Sequence, residues 1–215
     1  MCKQEKRRIA AFVTVLVLIL VLCSGCLLND EKSNHLKSFY TFTVTPQTSL
    51  SKGPYTKGNL FVMDFTISPE YSGNSFVYKE NNRLITDYYN RFLVPPEKLI
   101  KEKCALWMDK ASIFNAVFTD TRVLPPEYVL SARITELVCD ISQGRPPVAG
   151  IEINFLLIRH DKKDDILLNT AIKAERSLAE FTPETLVSGY NECLAEIFST
   201  LEKRIVTALN DQKAD

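Results

Sequence analysis

A change in the spacing of apolar residues near residue 180 strongly limits the folds that this chain can adopt. Residues 127–141, 148–160 and 165–179 alternate apolar and polar side chains, and short polar links, "SQGRPP" and "DKKD", separate them. From residue 182 to 211 the apolar residues instead recur every third or fourth position. Spacing by two predicts strands and spacing near 3.6 predicts a helix. The second half therefore predicts a three-stranded antiparallel meander followed by one long amphipathic helix.

The start of that helix carries the residues expected of a helix N-terminus. Thr182 suits the N-cap, Pro183 the first helical position, and Glu184 the positive end of the helix dipole. The predicted buried stripe comprises Leu186, Tyr190, Leu194, Ile197, Leu201, Ile205 and Leu209.

The first half repeats the same two patterns on a smaller scale. Alternation predicts strands at 39–45 and 60–67 and a hairpin over 75–86, and helical spacing then predicts a helix over 95–110. Its apolar face contains Pro96, Ile100, Cys104 and Trp107. Together the halves predict an α+β fold, with an antiparallel sheet of about six strands and two helices packed on one face.

The N-terminus has the pattern of an export signal. Four basic residues lie within positions 1–8, and residues 9–22 form a 14-residue apolar run. Such a helix is about 21 Å long, short of the ~30 Å hydrocarbon core of a bilayer. The length favours a signal peptide over the alternative, a short transmembrane helix.

The stretch "CSGC" that follows resembles the lipobox of bacterial lipoproteins. Ser24 and Gly25 are the small residues expected before the cleavage site, and Cys26 is the predicted lipidation site and new N-terminus. Cys23 would be removed together with the signal peptide. A redox or metal-binding C-x-x-C is disfavoured, because the chain offers neither a second ligand pair nor a βαβ context.

This resemblance divides the chain into a signal peptide (1–25), a lipidated tether (26–37) and one α+β domain (38–215). It implies a lipid-anchored protein that faces the periplasm of a Gram-negative bacterium. Leu27 stands where an aspartate would favour retention in the inner membrane, so the outer membrane is the expected location.

Charge and side-chain chemistry argue against several classes of function. The chain has 26 basic and 26 acidic residues, and without residues 1–25 it has 22 and 25, which gives no reason to expect nucleic acid as a partner. "GPYTKGNL" lacks the lysine of a phosphate loop, and the lysines of "RHDKKDD" oppose a metal ion. The sequence predicts no catalytic residue, no metal and no cofactor.

Three further cysteines, Cys104, Cys139 and Cys193, lie in apolar patterns. One disulfide is conceivable in an oxidising envelope, but buried free thiols are the preferred interpretation for all three.

Several segments resemble the ABC-type transport auxiliary lipoprotein family. They are "FVYK" (76–79), "DYYNRFLVPP" (87–96), the helix with Trp107, "YVLSARITELVCD" (128–140), the strand at 149–155 and the final helix. The resemblance covers nearly all of residues 38–209. It implies a non-catalytic subunit that works beside an ABC permease, its ATPase and an MCE-domain protein to move lipids between membranes.

Within "DYYNRFL", Tyr88, Tyr89, Arg91 and Phe92 are candidate contacts to a partner, since Tyr and Arg favour interface hot spots. The alternative is that the aromatic residues only pack the helix entrance against the sheet. Two other functions stay open: a free-standing lipid- or peptidoglycan-binding lipoprotein, and a periplasmic hydrolase with a dispersed site. A homo-oligomer is also compatible with the sequence.

Overall fold

The computed structural model describes residues 36–46, 54–120, 125–160 and 165–211. The predicted signal peptide and Cys26 lie outside these residues. Residues from Lys37 onward form one compact unit. Its strands are β1 Ser38–Tyr40, β2 Leu60–Val62, β3 Thr66–Ile67, β4 Ser75–Glu80, β5 Arg83–Phe92, β6 Val117–Phe118, β7 Tyr128–Asp140, β8 Val148–Arg159 and β9 Asp165–Ser177, and its helices are α1 Pro96–Ala111 and α2 Pro183–Asp211.

The predicted C-terminal meander is confirmed. β7 pairs antiparallel with β8, and β8 pairs antiparallel with β9. Ile134, Ile153 and Ile172 stand side by side across the three strands and are all buried. The three segments are long, alternate regularly and are joined by short links. Pairing each strand with the next one buries one whole face of the meander, and a shift of one residue would turn that face to solvent.

The sheet as a whole is mixed, which corrects the antiparallel prediction. On the side of β7 away from β8, the three strands β2, β3 and β4 all pair with it in parallel. The described residues contain nine strands, more than the six predicted. Alternation reports which face of a strand is buried, not the direction of its neighbour, so the sequence pattern could not reveal this arrangement.

The strands predicted at 39–45 and 60–67 are both shorter than predicted, and the predicted alternation holds only in the first, because Met63 is exposed while Leu60 and Val62 are buried. The segment 39–45 is a strand only to Tyr40, yet Phe42 and Val44 are buried as predicted. The hairpin forms from β4 and β5, and Asn81 in its turn has a φ of 54°. Asparagine tolerates this left-handed conformation better than most residues.

Both helices are confirmed, and their apolar stripes are buried. The Thr182 hydroxyl accepts a hydrogen bond from the Thr185 N–H at 3.2 Å, as expected of an N-cap. The Trp107 and Phe198 rings join the two helices, with centroids 5.8 Å apart. Neither helix in the described part of the chain is long and apolar enough to cross a membrane.

One polar contact lies inside this helix pair. The Trp107 indole N–H donates to Oε2 of Glu202 at 2.8 Å, and Glu202 is only 2% exposed. Its other oxygen, Oε1, is buried and has no hydrogen-bond partner among the described residues. This contact sits between α1 and α2, so it bears directly on how they pack.

Cys104, Cys139 and Cys193 are buried and free, which confirms the sequence interpretation. Burial raises the pKa of all three thiols, to about 12 for Cys139 and Cys193. The thiolate is the reactive form of cysteine, and it is almost unpopulated at pH 8 when the pKa is this high.

We therefore expect the folded protein to resist alkylation. At pH 8, iodoacetamide should modify these three cysteines at least ~100-fold more slowly than it modifies glutathione, and urea should restore ordinary rates. Peptide mapping by mass spectrometry measures each site separately. Rapid modification of any one of them in the folded protein would contradict its burial.

Candidate functional site

Exposed apolar side chains gather along the edge formed by β1 and β5. Phe39, Tyr88, Tyr89 and Leu93 are exposed by 56%, 66%, 43% and 60% of their surface. We call these four residues, together with Lys37 and Arg91, the edge patch. Single exposed apolar residues are ordinary, but a contiguous group commonly marks an interaction surface.

Backbone pairing brings the edge patch together. β1 runs parallel to β5, with Phe39 beside Arg91 and Tyr40 beside Phe92. The Leu93 N–H donates to the Tyr40 carbonyl at 2.8 Å and extends this pairing beyond the strand. Side chains of neighbouring strands in register point to the same face, so Phe39 and Arg91 share the face opposite Tyr40 and Phe92.

Asp87 shapes the backbone that carries the two tyrosines. Its Oδ1 accepts the N–H groups of Tyr89 and Asn90 at 2.8 and 2.9 Å, and its Oδ2 accepts the Tyr78 hydroxyl at 2.6 Å. A short acidic side chain that captures nearby N–H groups in this way bends a strand locally.

The electrostatics of this bend are consistent with a charged Asp87. Burial alone would raise the pKa of Asp87, but the hydrogen bonds from Tyr78 and Asn90 hold it below its ordinary value. Burial and the bond to Asp87 raise the pKa of Tyr78. Because the folded pKa of Asp87 is depressed, its stabilising contribution is present above the ordinary aspartate pKa near 4 and is lost as the pH falls.

The exposed rings make specific contacts with each other. The Tyr88 and Tyr89 rings meet edge to face, with centroids 5.1 Å apart. The Lys37 ammonium lies 4.4 Å from the centre of the Tyr88 ring, within the range of a cation–π interaction. These contacts hold aromatic surface and positive charge side by side at the solvent boundary.

The structure changes which of the four predicted contact residues lie at the surface. Tyr88 and Tyr89 are exposed and Arg91 is half-buried, whereas Phe92 is 2% exposed and packs on Phe42 and Phe76. Phe92 thus lies in the core and is not part of the surface. The strand alternation hides it, because Phe92 follows Arg91 and takes the opposite face.

Three members of the edge patch were missing from the sequence prediction: Lys37, Phe39 and Leu93. The signal for Phe39 was present, since the alternation that turns Tyr40, Phe42 and Val44 towards the core turns Phe39 outward. Lys37 and Leu93 give no such signal, because they join the patch only through the pairing of β1 with β5.

The residue types of the edge patch are those of a contact surface. Within the described ranges, no group of three or more His, Cys, Asp or Glu side chains is placed to hold a metal ion. Tyrosine and arginine are residue types that protein interfaces favour, and the patch presents two exposed tyrosines beside Arg91.

Comparison with solved structures shows that this fold occurs in other proteins. A protein from Xanthomonas campestris, assigned to the family DUF330, superimposes on this chain with a TM-score of 0.73 at 13% sequence identity. The superposition covers 83% of this chain and 99% of the other. A hypothetical protein from Chlamydia trachomatis gives 0.52 at 12% identity, over 72% and 98%.

A third structure, of an uncharacterised protein, gives a TM-score of 0.61 at 13% identity, over 79% of this chain and 99% of its own. Identities this low establish a shared α+β fold and nothing more specific. No protein-family model matches the sequence, and no curated protein matches it.

Proposed function

We propose that this chain is a membrane-anchored, non-catalytic auxiliary lipoprotein of an ABC/MCE-type transporter that moves lipids across the bacterial envelope. The resemblance of the stretch before Cys26 to a lipobox and the family resemblance support the assignment to this class of protein. The single structural observation that carries the proposal is the edge patch, an aromatic and cationic surface on a domain that is tied to the membrane.

The position of the patch along the chain fits a tethered subunit. β1 is the first element of the folded unit, so the predicted tether of residues 26–37 joins the domain at the patch. Twelve residues reach about 40 Å when fully extended. A lipid on Cys26 would therefore keep the patch within that distance of the membrane surface, where the partner subunits would meet it.

The chemistry of the patch favours a protein partner. Tyr88 and Tyr89 offer large rigid rings with hydroxyl groups, and Arg91 offers several hydrogen-bond donors. Such side chains dominate the energy of many protein interfaces. An MCE-domain protein is the partner that the family resemblance implies.

A pull-down of the tagged full-length protein in mild detergent tests this proposal. The wild type should recover an MCE-domain protein and an ABC ATPase. A Tyr88→Ser/Tyr89→Ser double variant should recover about tenfold less of both, because hot-spot losses exceed ~1.4 kcal/mol. Recovery of neither protein by the wild type would refute the transporter assignment.

The matched control is Leu84→Ser, which removes a similarly exposed apolar side chain from the same strand, β5. It should recover wild-type amounts. If the tyrosine variant also recovers wild-type amounts, the partner binds elsewhere and the edge patch is not the contact surface.

A further inference from the structure

A second surface, far along the chain from the edge patch, has the shape and charge of a ligand site. Between β9 and the C-terminal half of α2 lies an open groove of about 520 Å³, within the size range of small-molecule sites. We call it the terminal groove. We propose that it binds one anionic amphiphile, a fatty acid or an acidic phospholipid, with its charged head at Lys203 and Arg204.

The walls of the groove follow from the two elements that form it. β9 contributes Ile166 and Leu168, and Ile166 is 63% exposed. From α2 come Arg204, Thr207 and Ala208, whose spacing of three to four residues places them on one helix face. The result is an apolar strip on the strand opposite a helix face with a cationic end.

Arg204 fixes one end of the groove. Its guanidinium donates to the Thr170 hydroxyl and, at 3.4 Å, to the Ala171 carbonyl, which ties α2 to β9. A guanidinium has five N–H donors, so these bonds leave others for an anion. Lys203 adds a second positive charge and has no ion-pair partner among the described residues.

Among the described residues, the acidic groups nearest the groove do not cancel this charge. Asp211 is seven residues beyond Arg204, which is about 10 Å along the helix axis. Asp165, at the start of β9, forms an ion pair with Arg159 at 3.3 Å. A carboxylate or phosphate can therefore sit at the cationic end, with its hydrocarbon chain over Ile166, Leu168 and Ala208.

An amphiphile fits this groove better than an added β-strand. Within the described residues β9 pairs only with β8, so its outer edge could in principle accept another strand. Arg204, however, already donates to the carbonyl of Ala171, and a new strand that paired there would have to displace it. A hydrocarbon chain needs no backbone partner and leaves this bond intact.

The proposal is tested on the full-length protein in its own membrane. Cells receive a photoactivatable, clickable palmitate analogue and are irradiated, and the purified protein is digested with trypsin and mapped by mass spectrometry. We expect adducts on the peptide 164–173 and on the α2 peptide that follows Arg204. The adduct mass distinguishes the free fatty acid from a phospholipid that has incorporated it.

Two variants and two matched controls locate the site. Ile166→Asp places a charge on the apolar wall and Lys203→Glu reverses the charge at the head, and each should lower the adduct yield at least fivefold. Leu106→Asp and Lys110→Glu, at exposed positions on α1, should leave the yield unchanged. Slow alkylation of the three buried thiols reports that every variant is folded.

The outcomes separate this inference from the proposed function. A fatty acid attached to Cys26 would be found on a different tryptic peptide from the groove adducts. The groove adducts are also measured without detecting any transporter subunit, so their result does not depend on the proposed function. Adducts absent from both groove peptides, or undiminished in both variants, would overturn the proposal. A β9 peptide cross-linked to a second copy of the chain would overturn it too, in favour of strand pairing between copies.

Discussion

A Cys26→Ser variant is expected to accumulate as an uncleaved precursor that carries no acyl label. The lipobox resemblance implies that lipid attaches to this sulfur, and serine has none. The expected loss is complete rather than partial. Metabolic labelling with a clickable fatty acid, followed by gel mobility, measures both lipidation and cleavage.

The adjacent cysteine provides the matched control. Cys23→Ser should be labelled and processed like the wild type, because Cys23 lies in the predicted signal peptide. The two variants differ by three positions and introduce the same residue. Normal cleavage of Cys26→Ser would refute the assignment of Cys26 as the lipidated residue, and a wild type that is neither labelled nor cleaved would favour a retained membrane helix.

Trp107→Phe is expected to destabilise the folded domain by about 3 kcal/mol. The substitution removes the one described hydrogen bond to the Glu202 carboxyl group, whose other oxygen is already without a described partner. Leaving a buried polar group unsatisfied costs about 1–3 kcal/mol, and the smaller ring adds a packing loss.

Glu202→Leu provides the second arm of a double-mutant cycle. It replaces the buried carboxyl group with an apolar side chain and leaves the indole N–H unpaired, so we expect a smaller loss of about 1 kcal/mol. In the double variant neither polar group is present. Its loss should then fall below the sum of the single losses, with a coupling of about 2 kcal/mol.

The free energy of unfolding of each variant is measured by urea titration in mild detergent. Far-UV circular dichroism monitors the unfolding, because this signal does not depend on the tryptophan that is replaced. Additive losses would show that the contact between Trp107 and Glu202 contributes no coupling energy. An unchanged stability of Trp107→Phe would show that the Glu202 carboxyl group finds another partner.

The sequence predicted the elements well wherever one period extended over many residues. The meander of β7, β8 and β9 and both helices are where the periodicity put them, because each must bury one continuous face. Short elements were predicted less well. The stretch 60–67 divides into β2 and β3, each of which pairs with only a few residues of β7.

Features that depend on pairing between distant segments could not be predicted. Nothing in "LEKR" marks Glu202 as buried, because its partner Trp107 lies 95 residues earlier. The terminal groove likewise exists only where the end of α2 crosses the start of β9. Tyr88 and Tyr89 were recognisable as candidate contacts, but the patch that holds them requires β1, which a local pattern cannot place.

The position of β7 between earlier and later partners has a consequence for folding. β8, β9 and α2 follow it along the chain and can assemble with it through short loops. β2, β3 and β4 precede it, and although β4 can form its hairpin with β5, none of the three can join the meander until Tyr128–Asp140 is available. Long loops close slowly, so the C-terminal half is expected to form first and to serve as the template on which the N-terminal half completes the sheet.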